Sequence, residues 1–552
     1  MAKNSRNLPV QKPALRKIPS PAGRRRVRPL RRVAAWLAAM TRDASAGTAL
    51  ALWFVTAHVV LWTVILVILK GRQDVHFDIA EAYGWGQRFL FGYGKHPPLS
   101  GWIAGLWFRV FPVADWAAYA LAMAVCGFGM ATTWAIALKV VDRRRAILVL
   151  VMVAVYPIFN FKGFKYNADL LQLATLPLLV LAYLHAFEKK TAWSGVALGL
   201  AAMLALMTKY WVVTMIGAIG IAALLHPQRM AFLRSPAPWV AIVTAVVAMA
   251  PHLVWLWQVD FEPFAYAGGT YTIESRRDAL QIILGYLSHN AAMLAVPVGL
   301  AALALGWRPR RLRDLARRPL DWVTRTWARE PNPGLNVSQA LNVWVIQAVV
   351  AIGPPLGAWA FHIYLKTDWG ISLFFLVPLA LVALPWLRVQ MAAPARLAAI
   401  WLVMSLVTLA AAPRIAAYTE MLNAADAEGY GSRSQLARQL TELWRQRFAT
   451  RWEVVAAETE AGGPIGFYAP DHPLMLQPTD HFGSGLTSLA EAKEKGFIGV
   501  CEVGDHRFAA CEAWMAANAV MAERLNITTR RIVNGAIAAP SSWRVYIVAP
   551  TR

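Results

Sequence analysis

Charge is what this sequence has least of. Asp, Glu, Lys and Arg make up 16% of its 552 residues, against about 25% in an ordinary soluble chain. That excludes reading most of its length as a string of soluble domains. Acids are the scarcer sign, 31 against 55 basic residues, for a net charge of +24. No P-loop and no nucleotide-binding glycine signature occurs, which argues against an ATP-driven pump. The first apolar run begins late and is too long for a cleavable signal peptide. Cysteine is limited to three residues. Cys126 sits in an apolar run and reads as core. Cys501 and Cys511 lie in a polar region, where a disulfide in an oxidising compartment and two separate thiols both fit the spacing.

What is present is apolar: 58% of residues are hydrophobic. Runs near 20 residues recur, the mark of a polytopic membrane protein. They fall at 48–69, 114–138, 146–160, 169–187, 193–207, 211–225, 238–257, 279–305, 340–363, 370–387 and 394–412, about eleven spans. Residues 98–112 are short and aromatic and read as a helix lying at the interface. With the N-terminus in the cytoplasm, the basic loops Lys139–Arg145, Lys189-Lys190, Arg229–Arg234 and Arg308–Arg329 all fall inside, as the positive-inside rule requires. The loops Asp74–Pro98, Asn160–Asp169, Val259–Asp278 and Lys366–Trp369, and the C-terminal region, then face the outside.

This charge placement separates a membrane protein from a nucleic-acid binder, the other class that +24 suggests. Positions 1–45 carry twelve Lys or Arg, one acid and five prolines, and Arg308–Arg329 carries eight Arg. Both suit anionic lipid beside spans, and no nucleic acid is expected as a partner. Three domains follow: a basic disordered cytoplasmic tail (1–46), a transmembrane domain (47–415) and a soluble periplasmic domain (416–552). The last alternates helical and β-like stretches, with a helix at 432–448, a capping box at Ser488–Glu491, and β-runs at 452–457, 465–469, 497–503 and 543–548. That pattern reads as a small α/β domain.

The chemistry gathers in the outer loops, above all in Asp74–Trp102. Asp78 and Glu81, three apart, share a face if the segment is helical and suit general-base work. Lys95 and His96, fixed by Pro97-Pro98, and Lys209 and Lys366 are cations placed to meet a phosphate. Tyr83, Tyr166, Asn167, Asp169, Tyr210 and Trp369 supply aromatic and polar surface for a sugar. His252 and His289 read as core or interfacial residues. His472 and His481 flank a proline-rich loop, the one place where a metal site suggests itself in the C-terminal region.

The motifs Glu81-Ala-Tyr-Gly-Trp-Gly-Gln and Gly92-Tyr93-Gly-Lys95-His96-Pro97-Pro98-Leu99 resemble the first outer loop of the family 39 glycosyltransferases, among them protein O-mannosyltransferases and the lipid A aminoarabinose transferase. Tyr166-Asn167-Ala168-Asp169, Thr208-Lys209-Tyr210, Ser235-Pro236-Ala-Pro238-Trp239 and Leu365-Lys366-Thr-Asp-Trp369 follow in the expected order. The resemblance spans residues 50–410. It implies a GT-C membrane fold and inverting transfer, on the periplasmic face, from a polyprenyl (undecaprenyl) phosphate sugar to a lipid A, glycan or protein acceptor. It also implies that an acid of the first outer loop is the base. The family's adjacent Asp-Glu pair is absent here: Ala80 precedes Glu81, so either Asp78 or Glu81 fits the role. Lys95 stands where many relatives carry an acid, which favours a phosphate contact over a metal. The resemblance assigns no cofactor, and a divalent metal stays open. The alternatives are a transporter or flippase of lipid-linked sugar, for which inverted repeats are expected and none is evident, and a cell-envelope scaffold, which needs no acids at 78 and 81.

Overall fold

The computed structural model describes residues 44–273, 275–306, 334–422, 433–479, 485–530, 532–533, 536–537 and 540–551. The basic tail, the Arg308–Arg329 block and His481 lie outside the described residues. Among those described, seven helices are long and apolar enough to cross a membrane. The first, α1 (Ala44–Lys70), is followed by two shorter helices, α2 (Phe77–Gly86) and α3 (Leu99–Val110). Then come α4 (Asp115–Val140), α5 (Arg143–Ala154), α6 (Ala168–Lys189), α7 (Ala192–Leu206) and α8 (Val213–Leu225). After α9 (Pro236–Gln258), α10 (Glu262–Thr270) and α11 (Arg276–Ala304), the membrane part closes with α12 (Val337–Phe361) and α13 (Ala393–Leu422).

Local chemistry sets these boundaries. Asp142, Asn167, Ser275 and Asn336 each accept a backbone N–H in the first turn of α5, α6, α11 and α12, and Thr191 and Ser194 cap α7 reciprocally. Such caps satisfy donors that a helix start leaves orphaned. Helices α4 and α6 form the centre, with 72% and 78% of their apolar windows buried. The other five long helices bury a third or less. Their exposed Trp53, Trp239, Val247, Leu284 and Val407 turn an apolar surface outward that water would not tolerate and lipid would. Helix α7 lies against α9 through Gly195 and Gly199, where a Cβ would come within 2.5 Å of the Ala237 and Ala241 carbonyls. This is the small-residue spacing that lets membrane helices touch backbone to backbone.

The span count of about eleven is not borne out. The run 146–160 contains only α5, twelve residues long, followed by 3₁₀ turns around Asn160. The runs 193–207 and 211–225 form α7 and α8. At 15 and 13 residues they reach only about 20 Å, short of a hydrocarbon core of roughly 30 Å. The run 370–387 breaks into 3₁₀ turns and the six-residue helix Val377–Val382. Apolar composition alone does not distinguish a span from a buried short segment.

The C-terminal region is a small α/β unit. Its helices are α14 (Arg433–Arg447), α15 (Thr459–Tyr468), α16 (Leu489–Lys495) and α17 (Phe508–Asn518). Its strands are β1 (Val454–Ala457), β2 (Leu474–Leu476), β3 (Phe497–Glu502), β4 (Glu523–Thr529) and β5 (Ser541–Val548). They form one sheet in the order β2-β1-β3-β5-β4, with β1 parallel to β2 and β3, and β5 antiparallel to β3 and β4. Alternate residues divide between two cores. Val455, Ala457, Ile498 and Val500 meet α14 and α15, whereas Val454, Ala456, Phe497 and Cys501 meet α17. Cys501 and Cys511 are disulfide-bonded, tying β3 to α17. The stretch 465–469, read as a β-run, is the end of α15. Its apolar residues serve a two-sided contact, with the sheet on one side and the membrane part on the other.

Candidate functional site

Helix α2 carries the two acids. His76 caps it by accepting the Asp78 backbone N–H at 3.2 Å. A Cβ on Gly86 would lie 2.4 Å from the Gly105 nitrogen, so only glycine lets α2 and α3 approach this closely. Between these helices Tyr93 and His96 exchange backbone hydrogen bonds at 2.8 and 3.0 Å. The resulting turn, with Gly94 at φ +37°, points Lys95 back to α2.

Three carboxylates converge here, each held by a lysine. Glu81 Oε1 is 2.6 Å from Lys95 Nζ. Asp78 is 3.2 Å from Lys165 and accepts from Asn167 Nδ2 at 2.8 Å. Asp169 accepts from Lys209 at 2.6 Å and from Gln172 at 3.1 Å. Lys209 also lies 4.5 Å over the Trp369 ring, a contact that steadies a partly desolvated cation. Lys366 differs: it is exposed and has no acidic partner among the described residues. Its charge is nonetheless close enough to act on His76 and Asp169. Beside it Asp368 faces Lys162 at 3.7 Å and His289 at 3.2 Å.

The two acids of α2 are tuned apart. Burial pushes both upward, but Lys165, His76 and Asn167 outweigh it at Asp78 and hold that carboxyl down at about 2. Glu81 is raised, by burial first and by the nearby Asp78 and Glu460 carboxylates, against the pull of Lys95. Burial alone would lower Lys95; the Glu81 carboxylate reverses this and keeps it protonated. His96 falls to about 3, through burial and then the Lys209 and Lys95 charges. It is therefore a neutral imidazole, offering a hydrogen bond in place of the positive charge expected of it. Carboxylates pushed in opposite directions are the signature of divided roles in proton transfer.

Nine of the twelve expected site residues meet in this cluster: Asp78, Glu81, Lys95, His96, Asn167, Asp169, Lys209, Lys366 and Trp369. Three do not. Tyr166 is fully buried and donates to the Ser100 carbonyl at 2.9 Å, which makes it a packing residue. Tyr83 points the other way along α2 and packs edge-on against Phe108, Phe467 and His472. Tyr210 is tied at 3.2 Å to His252, itself bonded to the Phe91 carbonyl at 2.6 Å, and stands at the margin. Sequence reasoning omitted Gln172, and Tyr271, whose ring lies 5.0 Å from Trp369. Lys165, in the outer loop Asn160–Asp169, is a further member of the cluster, and its position one residue before the Tyr-Asn motif is a usable signal.

The donor set does not suit a metal. Each of the three carboxylates is already neutralised by a lysine, and among the described residues no group of three His, Cys, Asp or Glu side chains is arranged to hold a metal ion. His472 instead faces Tyr83 and the Gly466 carbonyl.

The fold comes first: a polytopic helical membrane scaffold with a small sheet domain appended. Two structures of ArnT from Cupriavidus metallidurans, one bound to undecaprenyl phosphate and one apo, superpose with TM-score 0.56. They cover 91% and 92% of this chain and 99% of ArnT at 13% identity, a likeness of fold. At the level of sequence, residues 95–255 match the family described as dolichyl-phosphate-mannose-protein mannosyltransferase. The lipid A galacturonosyltransferase RgtD of Rhizobium johnstonii is 24% identical over 334 residues, 57% of this chain. The chain spans 65% of the length of that relative. The resemblance to GT-C glycosyltransferases read from the loop motifs is borne out.

Proposed function

We propose that this protein transfers a sugar from a polyprenyl (undecaprenyl) phosphate donor to an envelope acceptor, with inversion, at the periplasmic face of a bacterial inner membrane. The observation that carries it is the lysine–carboxylate cluster built around α2 on an ArnT-like fold. Glu81 is the base: Lys95 pairs with its Oε1, and its raised affinity for a proton suits proton abstraction. Asp78, with three neighbours spending its lone pairs, holds Lys165 and the Asn167 loop in place. The acceptor hydroxyl oxygen attacks the anomeric carbon as its proton passes to Glu81. The bond from that carbon to the donor phosphate oxygen breaks, and the polyprenyl phosphate departs with the electron pair. Lys366, uncommitted, and Lys209 stabilise the charge that grows on it. Lys95 holds Glu81 in line.

The ArnT complex with undecaprenyl phosphate supports the donor class, and the name of RgtD supports lipid A as acceptor over protein. An N-terminus in the cytoplasm puts the site and the C-terminal unit in the periplasm, where the Cys501–Cys511 disulfide is chemically at home. The test is incubation of the purified protein with labelled undecaprenyl-phosphate sugars and envelope extract, beside the Asp78→Asn/Glu81→Gln double variant. Label should reach a lipid acceptor only with the acids intact. Passage of lipid-linked sugar across vesicles without transfer would replace this reading by the flippase.

A further inference from the structure

The C-terminal unit grips α2 along its whole length. Before the helix, Asp74 Oδ2 accepts the backbone N–H groups of Arg433 and Ser434 at 3.1 and 3.0 Å, capping α14. The next residue, Val75, donates its N–H to the Tyr468 hydroxyl at 2.7 Å, and that hydroxyl donates onward to Asp115 at 2.9 Å. At mid-helix Gly463 of α15 faces the backbone of Ala80 and Glu81: a Cβ there would stand 3.5 Å from the Glu81 nitrogen. Just past the helix, Arg88 pairs with Glu491 at 2.7 Å. Leu486 closes a small core with Trp85 and Tyr93, the residues that frame the Lys95 turn.

We propose that the C-terminal unit is a working part of the site, clamping α2 at both ends, and that Tyr468 is a positioning residue for Asp78 and Glu81. Its effect on catalysis rests on the transferase reading; the clamp itself does not. Asp74 and Val75 precede Asp78 by four and three residues, so the clamp acts within one turn of the first acid. The Tyr468 hydroxyl is simultaneously the acceptor for Val75 and the donor to Asp115, a two-way role that no phenylalanine can fill. The base must sit within hydrogen-bond reach of the acceptor, so loosening α2 harms the chemical step. The donor cations Lys209 and Lys366 belong to other elements and stay in place.

The test uses full-length Tyr468→Phe, which removes one oxygen, with two readouts. The first is hydrogen exchange across residues 74–86. The second is kcat and KM for an undecaprenyl-phosphate sugar. Exchange in α2 should rise while the membrane core is unchanged. The kcat should fall roughly ten- to a hundredfold, with KM within about twofold. Unchanged exchange overturns the clamp, as does a rise spread over the whole protein with proportional loss of active material. If wild type transfers no sugar while α2 still loosens in the variant, the transferase reading fails and the clamp stands. Should Tyr468→Phe not fold, Arg88→Gln at the opposite end carries the same comparison. Arg447→Gln, on a pair remote from α2, should leave exchange there unaltered.

Discussion

The two halves of this molecule handle charge with different side chains. At the site's own carboxylates the cations are lysine and histidine: Lys95, Lys165 and Lys209 each on one carboxylate, Lys162 and His289 about Asp368. In the C-terminal unit arginine dominates. Arg447 grips Glu523 with two nitrogens, both at 2.6 Å. Arg507 bridges Glu458, Glu460 and Asp505, and Arg445 holds Asp471 at 2.7 Å. Guanidinium forks lock a carboxylate in fixed geometry, whereas an ammonium on a flexible stem is a point charge that can change partner. The difference separates charges that maintain a fold from charges that a phosphate could recruit.

Lys209→Arg keeps the charge but not the fit between Asp169 and the Trp369 face. Transfer should fall about tenfold or more, and activity near wild type would erase the distinction between the two cations. Lys366→Ala removes the uncommitted charge and should raise KM for the donor about ten- to a hundredfold, with a smaller change in kcat. Titration curves of donor binding would show it. The pH dependence sharpens the separate roles of the acids. A raised Glu81 loses its basic form as pH falls through its own pKa, so the acidic limb of kcat should lie above the ordinary glutamate value of 4.5. A limb near the Asp78 value of about 2 would exchange the roles. Arg507→Lys should cost about 1–2 kcal/mol of stability and leave transfer intact, as thermal unfolding and assay together would reveal.

Much of this was legible in the sequence because it is local or compositional. Asp78 and Glu81 at helical spacing, the proline-fixed turn at Lys95, the α14 periodicity and the Ser488 cap all depend on near neighbours. The long helices followed from apolar runs, but α5, α7 and α8 did not, since length in space depends on where a helix is interrupted. Pairings were hidden for a different reason. Nothing near Asp78 in the chain names Lys165 as its partner, and nothing near Asp74 names Ser434. Tyr83 lies away from the acids because α2 has two occupied faces, one toward the acids and one toward the C-terminal unit, and a single loop motif carries both.

The central question is which carboxylate accepts the proton. Single-turnover transfer from a labelled undecaprenyl-phosphate sugar, measured for Glu81→Gln and Asp78→Asn beside wild type, decides it. Donor binding is checked in the same samples. Glu81→Gln should bind donor and lose roughly 10²–10⁴-fold in rate, with Asp78→Asn losing less. A Glu81→Gln protein that transfers near the wild-type rate, with Asp78→Asn inactive, would contradict it.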